Sequence, residues 1–247
     1  MNLLNRWLCC LWIVIAPSVQ AEEICNLKSA ETIWNSTYVN LHSLFGVTLE
    51  SPSIVFLQDN SNLQSMGEVA TFGYYNKSSK TLHIICNEKT AEWFEVAIRH
   101  EATHYYLDQV FGQLPLWLNE GLATYMEAGN LDDEHVNHNI NRPRLVEFVD
   151  MLKWNKVPPL LDLLRLDPYS KTPSQYYAAY WALVFVLIHD QDKLVQKQRR
   201  QLLKDLLNNS EHDPNYINRH LIDSLKKEIP NLADWELRWH REIWDLH

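Results

Sequence analysis

The chain has 247 residues, room for one domain of good size or two small ones. With 46% hydrophobic and 21% charged residues, it has the make-up of a globular protein and not of a disordered one. A formal net charge of −9 argues against nucleic acid as a partner, which needs a basic surface; otherwise the acidity speaks to solubility rather than to substrate.

Residues 1–21 read as a signal peptide. Arg6 gives a short positive start, Trp7 to Ala16 is apolar, and Val19-Gln20-Ala21 resembles a cleavage site before Glu22. The apolar run falls short of the roughly 20 residues that span a bilayer. No cysteine stands where a lipoprotein site would need one. The expectation is an exported mature chain, periplasmic or secreted, with no stable membrane span; a retained anchor is the alternative. Cys9 and Cys10 would leave with the leader, and Cys25 and Cys86 would remain. In an oxidising compartment that pair suggests one disulfide, with two free buried thiols as the alternative. Closing so long a loop contributes roughly 4 kcal/mol in the chain-entropy account.

Lys28 to Phe45 carries Ala30, Ile33, Trp34, Tyr38, Leu41, Leu44 and Phe45 at mixed steps of three and four, which predicts an amphipathic helix ended by Gly46. Ser53 to Leu57 is a short β-branched run and predicts a strand. Gln58 to Gly67 is polar and reads as a loop with a short helix. Thr71 to Tyr75 and Thr81 to Cys86 flank an Asn-Lys-Ser-Ser turn, so together they predict a β-hairpin.

Next comes His100-Glu101-Ala102-Thr103-His104, an H-E-x-x-H motif. On a helix, residues four apart share a face, so both imidazoles can reach one ion. Zinc takes such nitrogen ligands and keeps a position open in catalytic sites. Glu101, about 100° round the helix, can reach the water without ligating the metal. The helix is predicted independently of the motif. Trp93, Ala97, His100, His104, Leu107 and Phe111 form an apolar stripe, Asn87 and Thr90 are available as caps, and Gly112 with Pro115 ends the run. Pro115 then opens a second helix after a short turn, implying an antiparallel neighbour, and Glu120 on it can face the histidine pair. Two His and one Glu make a catalytic zinc set. A coincidental buried histidine pair is the competing reading.

The pairing of H-E-A-T-H with L-W-L-N-E-G-L-A resembles the gluzincin metallopeptidases, the clan that includes thermolysin and the zinc aminopeptidases. The resemblance implies His100, His104 and Glu120 as ligands of one Zn2+ and Glu101 as general base. It also implies that the small sheet borders a cleft, with 70–75 as the edge strand that pairs with extended substrate; a purely structural sheet is the alternative. Tyr177-Ala-Ala-Tyr-Trp-Ala-Leu-Val-Phe is similar to the gluzincin helix whose opening Tyr donates a hydrogen bond to the oxyanion, which assigns that role to Tyr177. Tyr176 and Tyr180 read as core. Which of Tyr177 and Tyr180 faces the cleft stays open.

Asn130 to Asn141 holds Asp132, Asp133, Glu134, His135 and His138, which reads as a solvated acidic loop with a second metal site as the minor alternative. Arg144 to Trp154 predicts a helix broken by Val157-Pro-Pro, and Leu160 to Leu166 a short apolar segment. Ser174 to Asp190 carries an apolar run about as long as a buried helix and too short to span a membrane. Lys193–Leu207, Tyr216–Glu228 and Leu232–Leu246 predict three further helices, with Leu194, Leu202, Leu206 and Leu207 packed on the core.

These elements predict an α+β, zincin-like, helix-rich fold. Residues 22–247 would form one domain: 22–112 bring helix, small N-terminal sheet and H-E-x-x-H helix, and 113–247 the glutamate helix and the C-terminal helices. The function implied is a zinc-dependent peptidase, a hydrolase acting on peptide or protein substrate. Asn119 and Thr124 are candidates for orienting Glu120, although thermolysin has Asp where this chain has Thr124. The aminopeptidases' G-x-M-E-N segment is missing; Met66-Gly-Glu-Val does not match it, which argues against an exopeptidase and leaves an endopeptidase, or an unusual substrate, open. The alternative function is a non-catalytic, zinc-stabilised exported binding protein; a metal-free scaffold would leave His100, His104 and Glu120 unexplained.

Overall fold

Asn26 starts the first helix by accepting the Ser29 N–H on its side chain, and Gly46 ends it in the left-handed region at φ 78°. The computed structural model describes residues 24–58, 72–129, 140–165, 176–208 and 214–247. Residues 1–21, read above as a signal peptide, 59–67 of the predicted polar loop, and 130–139 of the predicted acidic loop lie outside them.

Helix α1 (Leu27–Phe45) is followed by strands β1 (Ser53–Leu57), β2 (Gly73–Asn76) and β3 (Thr81–Ile85). Their order is β1-β3-β2, with β2 and β3 an antiparallel hairpin and β1 added parallel to β3. The hairpin was predicted; the parallel partner was not. Among the described residues, eight α-helices come after the sheet. They are α2 (Phe94–Phe111), α3 (Leu116–Met126), α4 (Arg142–Lys153), α5 (Leu160–Leu164), α6 (Tyr177–Ile188), α7 (Lys193–Asn208) and α8 (Pro214–Glu228), with α9 (Leu232–Trp244) closing the chain. The fold is α+β and dominated by helices, with the one small sheet near its N-terminal end. No helix among the described residues is long and apolar enough to cross a membrane.

Two apolar clusters divide the interior and meet at α2. The smaller holds Trp34, Leu82, Ile84, Phe94, Ile98 and Ala102, so it lies between α1, the sheet and one side of α2. The larger is built on α3 and α6, and α6 buries every residue from Ala178 to Ile188. Tyr106 and Leu107 of α2 belong to it. The Cys25–Cys86 disulfide, with Cα atoms 6.0 Å apart, ties the approach to α1 to the end of β3.

Three local expectations differ from the structure. Trp93 is 38% exposed because 91–93 wind as a 3-10 turn and Phe94 takes the core position instead. Asn87 and Thr90 build the turn before that helix rather than capping it: the Thr90 hydroxyl accepts the Asn87 N–H and donates to the Ile85 carbonyl. Leu194 is 65% exposed, and the inward face of α7 carries Gln196, Arg199, Leu203, Leu206 and Leu207.

Candidate metal centre

Helix α2 ends where the Gly112 N–H bonds the Asp108 carbonyl at φ 72°, a backbone angle that suits glycine. A turn of only a few residues then leads through Pro115 into α3, which packs against α2; His104 meets Asn119 and His100 meets Glu127, so the two helices run in opposite directions. Gly121, directly after Glu120, decides how deep α3 sits. A Cβ there would lie 2.6 Å from Val184 Cγ2 and 2.8 Å from the Tyr180 carbonyl oxygen, so only glycine lets α3 and α6 approach this closely.

On these helices His100, His104 and Glu120 converge, with one candidate ligand atom from each within 4.8 Å of the others. The two Nε2 atoms are 3.1 Å apart, and Glu120 Oε2 lies 3.4 Å from that of His100 and 3.6 Å from that of His104. The other ring nitrogens fix the tautomers. His100 Nδ1 faces Glu127 Oε1 at 2.9 Å and His104 Nδ1 faces Asn119 Oδ1 at 3.1 Å; both partners accept, so both Nδ1 atoms donate. In the neutral rings, the inward Nε2 atoms then present lone pairs to each other and to a carboxylate oxygen. Glu120 Oε2 is buried without a hydrogen-bond partner among the described residues. Buried acceptors facing one another without a donor are unfavourable, and a cation held between them resolves the conflict. The donor set therefore fits a metal ion with imidazole and carboxylate ligands.

The electrostatics agree. Burial alone would lower His100 and His104, yet the neighbouring carboxylates raise both, Glu120 and Glu127 acting on His100 and Glu120 on His104. Burial would raise Glu120, but the imidazoles hold it far below the usual carboxylate range. The pocket draws positive charge to the point where the three ligand atoms meet.

Glu101 lies beside this point, 8% exposed, with its pKa raised by burial against the lowering effect of the imidazoles. It also accepts the Tyr75 backbone N–H. In the β2–β3 ladder the Ile85 N–H bonds the Phe72 carbonyl, and alternation then turns the backbone groups of Gly73 and Tyr75 away from β3. The outer edge of β2 thus runs along Glu101. Gly73 permits it: a Cβ would stand 2.8 Å from the His83 carbonyl oxygen and 3.4 Å from Glu101 Cγ.

Tyr177 opens α6 with its ring stacked on His100, centroids 6.0 Å apart at 22°. Burial, the Glu120 and Glu101 carboxylates and a hydrogen bond to Glu120 push its phenol well above the ordinary range. Tyr180 instead is fully buried, its hydroxyl without a partner among the described residues. Of the two tyrosines, Tyr177 is the one against the histidines.

The groups that hold the ligands differ from expectation. Asn119 holds His104, not Glu120. The Thr124 hydroxyl is spent on the backbone carbonyls of Glu120 (2.7 Å) and Gly121 (3.1 Å), so it does not reach the carboxylate. Glu127 was not foreseen, although it stands two helical turns past Glu120 on the same face, a spacing visible in the sequence. It is fixed by Asn141 Nδ2 at 2.9 Å and by Arg144 Nε at 3.3 Å. The Arg144 guanidinium also lies 5.6 Å from the centre of the Tyr177 ring. Asn141 caps α4 through the Arg144 N–H; no local pattern announces that this cap sits under the site.

No curated protein and no solved structure matches the chain. A family model described as "Protein of unknown function (DUF1570)" matches residues 95–214, a stretch that includes both ligand-bearing helices, Glu127, Arg144 and Tyr177.

Proposed function

We propose that the protein is a zinc-dependent peptidase of gluzincin type, with a zincin-like core, that cleaves peptide bonds within exported or extracellular polypeptides. The observation that carries this is the convergence of His100, His104 and Glu120 with a fourth buried group, Glu101, held beside the ligand atoms rather than among them. A site that served only to stabilise the fold would prefer four protein ligands and have no use for that carboxylate. The disulfide supports an oxidising compartment.

His100, His104 and Glu120 would hold the ion, which when bound supplies the charge that acidifies water and polarises a carbonyl. Glu101 takes the proton of the attacking water and returns it to the leaving amine. Tyr177 donates its hydroxyl hydrogen to the oxygen on which charge develops, and its raised pKa keeps that hydrogen in place. The outward backbone groups of β2 pair with an extended peptide and lay the scissile carbonyl beside Glu101. The lack of an amine-gripping G-x-M-E-N run favours internal cleavage.

Glu101→Gln tests the assignment. The variant is expected to keep one zinc per chain while hydrolysis of an unfolded protein substrate falls by at least about 100-fold. Equal turnover in the two proteins would remove the enzymatic reading.

A further inference from the structure

One turn past the histidine pair, α2 carries a carboxylate that the proposed chemistry does not use. His100, His104 and Asp108 stand four residues apart, so Asp108 continues the ligand-bearing line toward the C-terminal end of the helix. A negative charge there is unfavourable to the helix itself, whose last turn already presents unpaired carbonyls and the negative end of the dipole. Three donors offset this, two of them from β2 and the residue after it. The Tyr75 phenol donates to Asp108 Oδ2 at 2.9 Å, Gln109 Nε2 donates to the same oxygen at 3.0 Å, and the Lys77 ammonium pairs with Oδ1. The Lys77 side chain is 68% exposed and screened by water, whereas that of Asp108 is 12% exposed. The phenol is therefore the tie between strand and helix. Burial, and then the hydrogen bond to Asp108 and its charge, push the Tyr75 pKa well above the ordinary range, so the hydroxyl stays a donor.

Tyr75 meets α2 a second time. Its backbone N–H bonds Glu101, seven residues before Asp108 and about 10 Å away along the helix axis. β2 is an outer strand, paired with β3 on one side only, so the sheet alone does not fix its free edge. Its other residues offer α2 little. Gly73 has no side chain, Tyr74 turns to the opposite face and stacks on His83 at 4.5 Å, and Asn76 accepts the Ser79 N–H. The Tyr75 ring is itself held edge-on by Tyr105, centroids 5.8 Å apart at 77°. From these contacts we infer that Asp108 is a positioning residue: by anchoring the Tyr75 phenol it sets the free edge of β2, and the Tyr75 N–H in particular, against Glu101. The inference rests on the reading of Glu101 as general base. A reacting group displaced by about 1 Å can lose about 100-fold in rate, so a strand that drifts off α2 is costly even with every ligand in place.

Two readouts on the zinc-loaded protein test this: hydrogen exchange at the Tyr75 amide, and kcat/KM on an unfolded protein substrate. That amide points away from β3 and has Glu101 as its acceptor, so its protection reports the placement directly. Tyr75→Phe removes the phenol oxygen and Asp108→Ala its acceptor. Each is expected to speed exchange of this amide by about tenfold and to lower kcat/KM by about 10–100-fold, with zinc content unchanged. The two changes combined are expected to do no more than either alone. Asp108→Asn keeps an oxygen for the phenol and should stay within about threefold of the unsubstituted protein; Tyr75→Phe against Asp108→Asn carries the comparison if the alanine variant fails to fold. Unchanged exchange, effects that multiply in the double variant, or faster exchange with kcat/KM untouched would overturn the positioning role, while cleavage by the unsubstituted protein leaves the peptidase reading standing. Faster exchange in a protein that cleaves nothing supports the anchoring by Asp108 and removes the peptidase reading.

Discussion

Among the described residues, the polar cluster around Arg199 and the one around His100 are built on opposite plans. At the C-terminal end, Arg199 (3% exposed side chain) reaches Asp190, Glu228 and Glu242 at 3.0, 2.7 and 3.1 Å. Arg238 meets the same three carboxylates. Cations and anions alternate, Arg199 also bonds the Val186 carbonyl, and the cluster locks α7, α8 and α9 to the end of α6. Around His100 the balance differs. Glu101, Glu120 and Glu127 surround the imidazoles, and Arg144 pairs with Glu127 and with Glu147 outside the site, so with neutral imidazoles the carboxylates outnumber the guanidinium. A buried cluster that carries its own counter-charges is complete as folded; one made mostly of acceptors is a place for something else to bind.

The largest effect that would sharpen this contrast comes from the complete cluster. Arg199→Ala leaves three buried or half-buried carboxylates to Arg238 alone and is expected to cost about 3–5 kcal/mol in denaturant unfolding, with zinc content per chain unchanged. A loss under about 1 kcal/mol, or loss of zinc with it, would break the distinction. At the other cluster, Tyr177→Phe is expected to lower kcat by about 100-fold or more while metal affinity holds, because only the hydroxyl is removed from the developing charge. If kcat holds, Tyr177 is packing for His100 and nothing more. The smallest effect belongs to Glu127→Gln. Weakening the acceptor behind His100 Nδ1 should reduce zinc affinity by about 10–100-fold, read by competition with a metallochromic chelator. No change would mean that Asn119 and the helix alone orient the ligands.

The convergence of His100, His104 and Glu120 was legible in the sequence because the three lie on two consecutive helices. The spacing from His100 to His104 is a matter of one helical turn, and the short link through Pro115 leaves α3 little choice but to face α2. Strand β1 was legible from its β-branched run and matched over its full length, Ser53 to Leu57. What sequence spacing missed is what depends on long-range packing. The parallel pairing of β1 with β3, the Asn141–Arg144 support beneath Glu127 and the Arg199 cluster all join residues from separate elements. Thr124 and Asn119 were misassigned because neighbours in sequence were taken for neighbours of the carboxylate; on the helix one bonds backbone and the other reaches across to His104. Trp93 looked like core because it fits the apolar stripe, and its exposure followed only from the 3-10 start of the helix.

The most direct measurement is the metal content of the purified protein, by elemental analysis after dialysis against buffer with trace zinc, beside His104→Ala treated identically. The account predicts close to one zinc per wild-type chain and almost none in the variant, both remaining folded by circular dichroism. Wild-type protein that emerges folded and metal-free, or a variant that retains the ion, would contradict it.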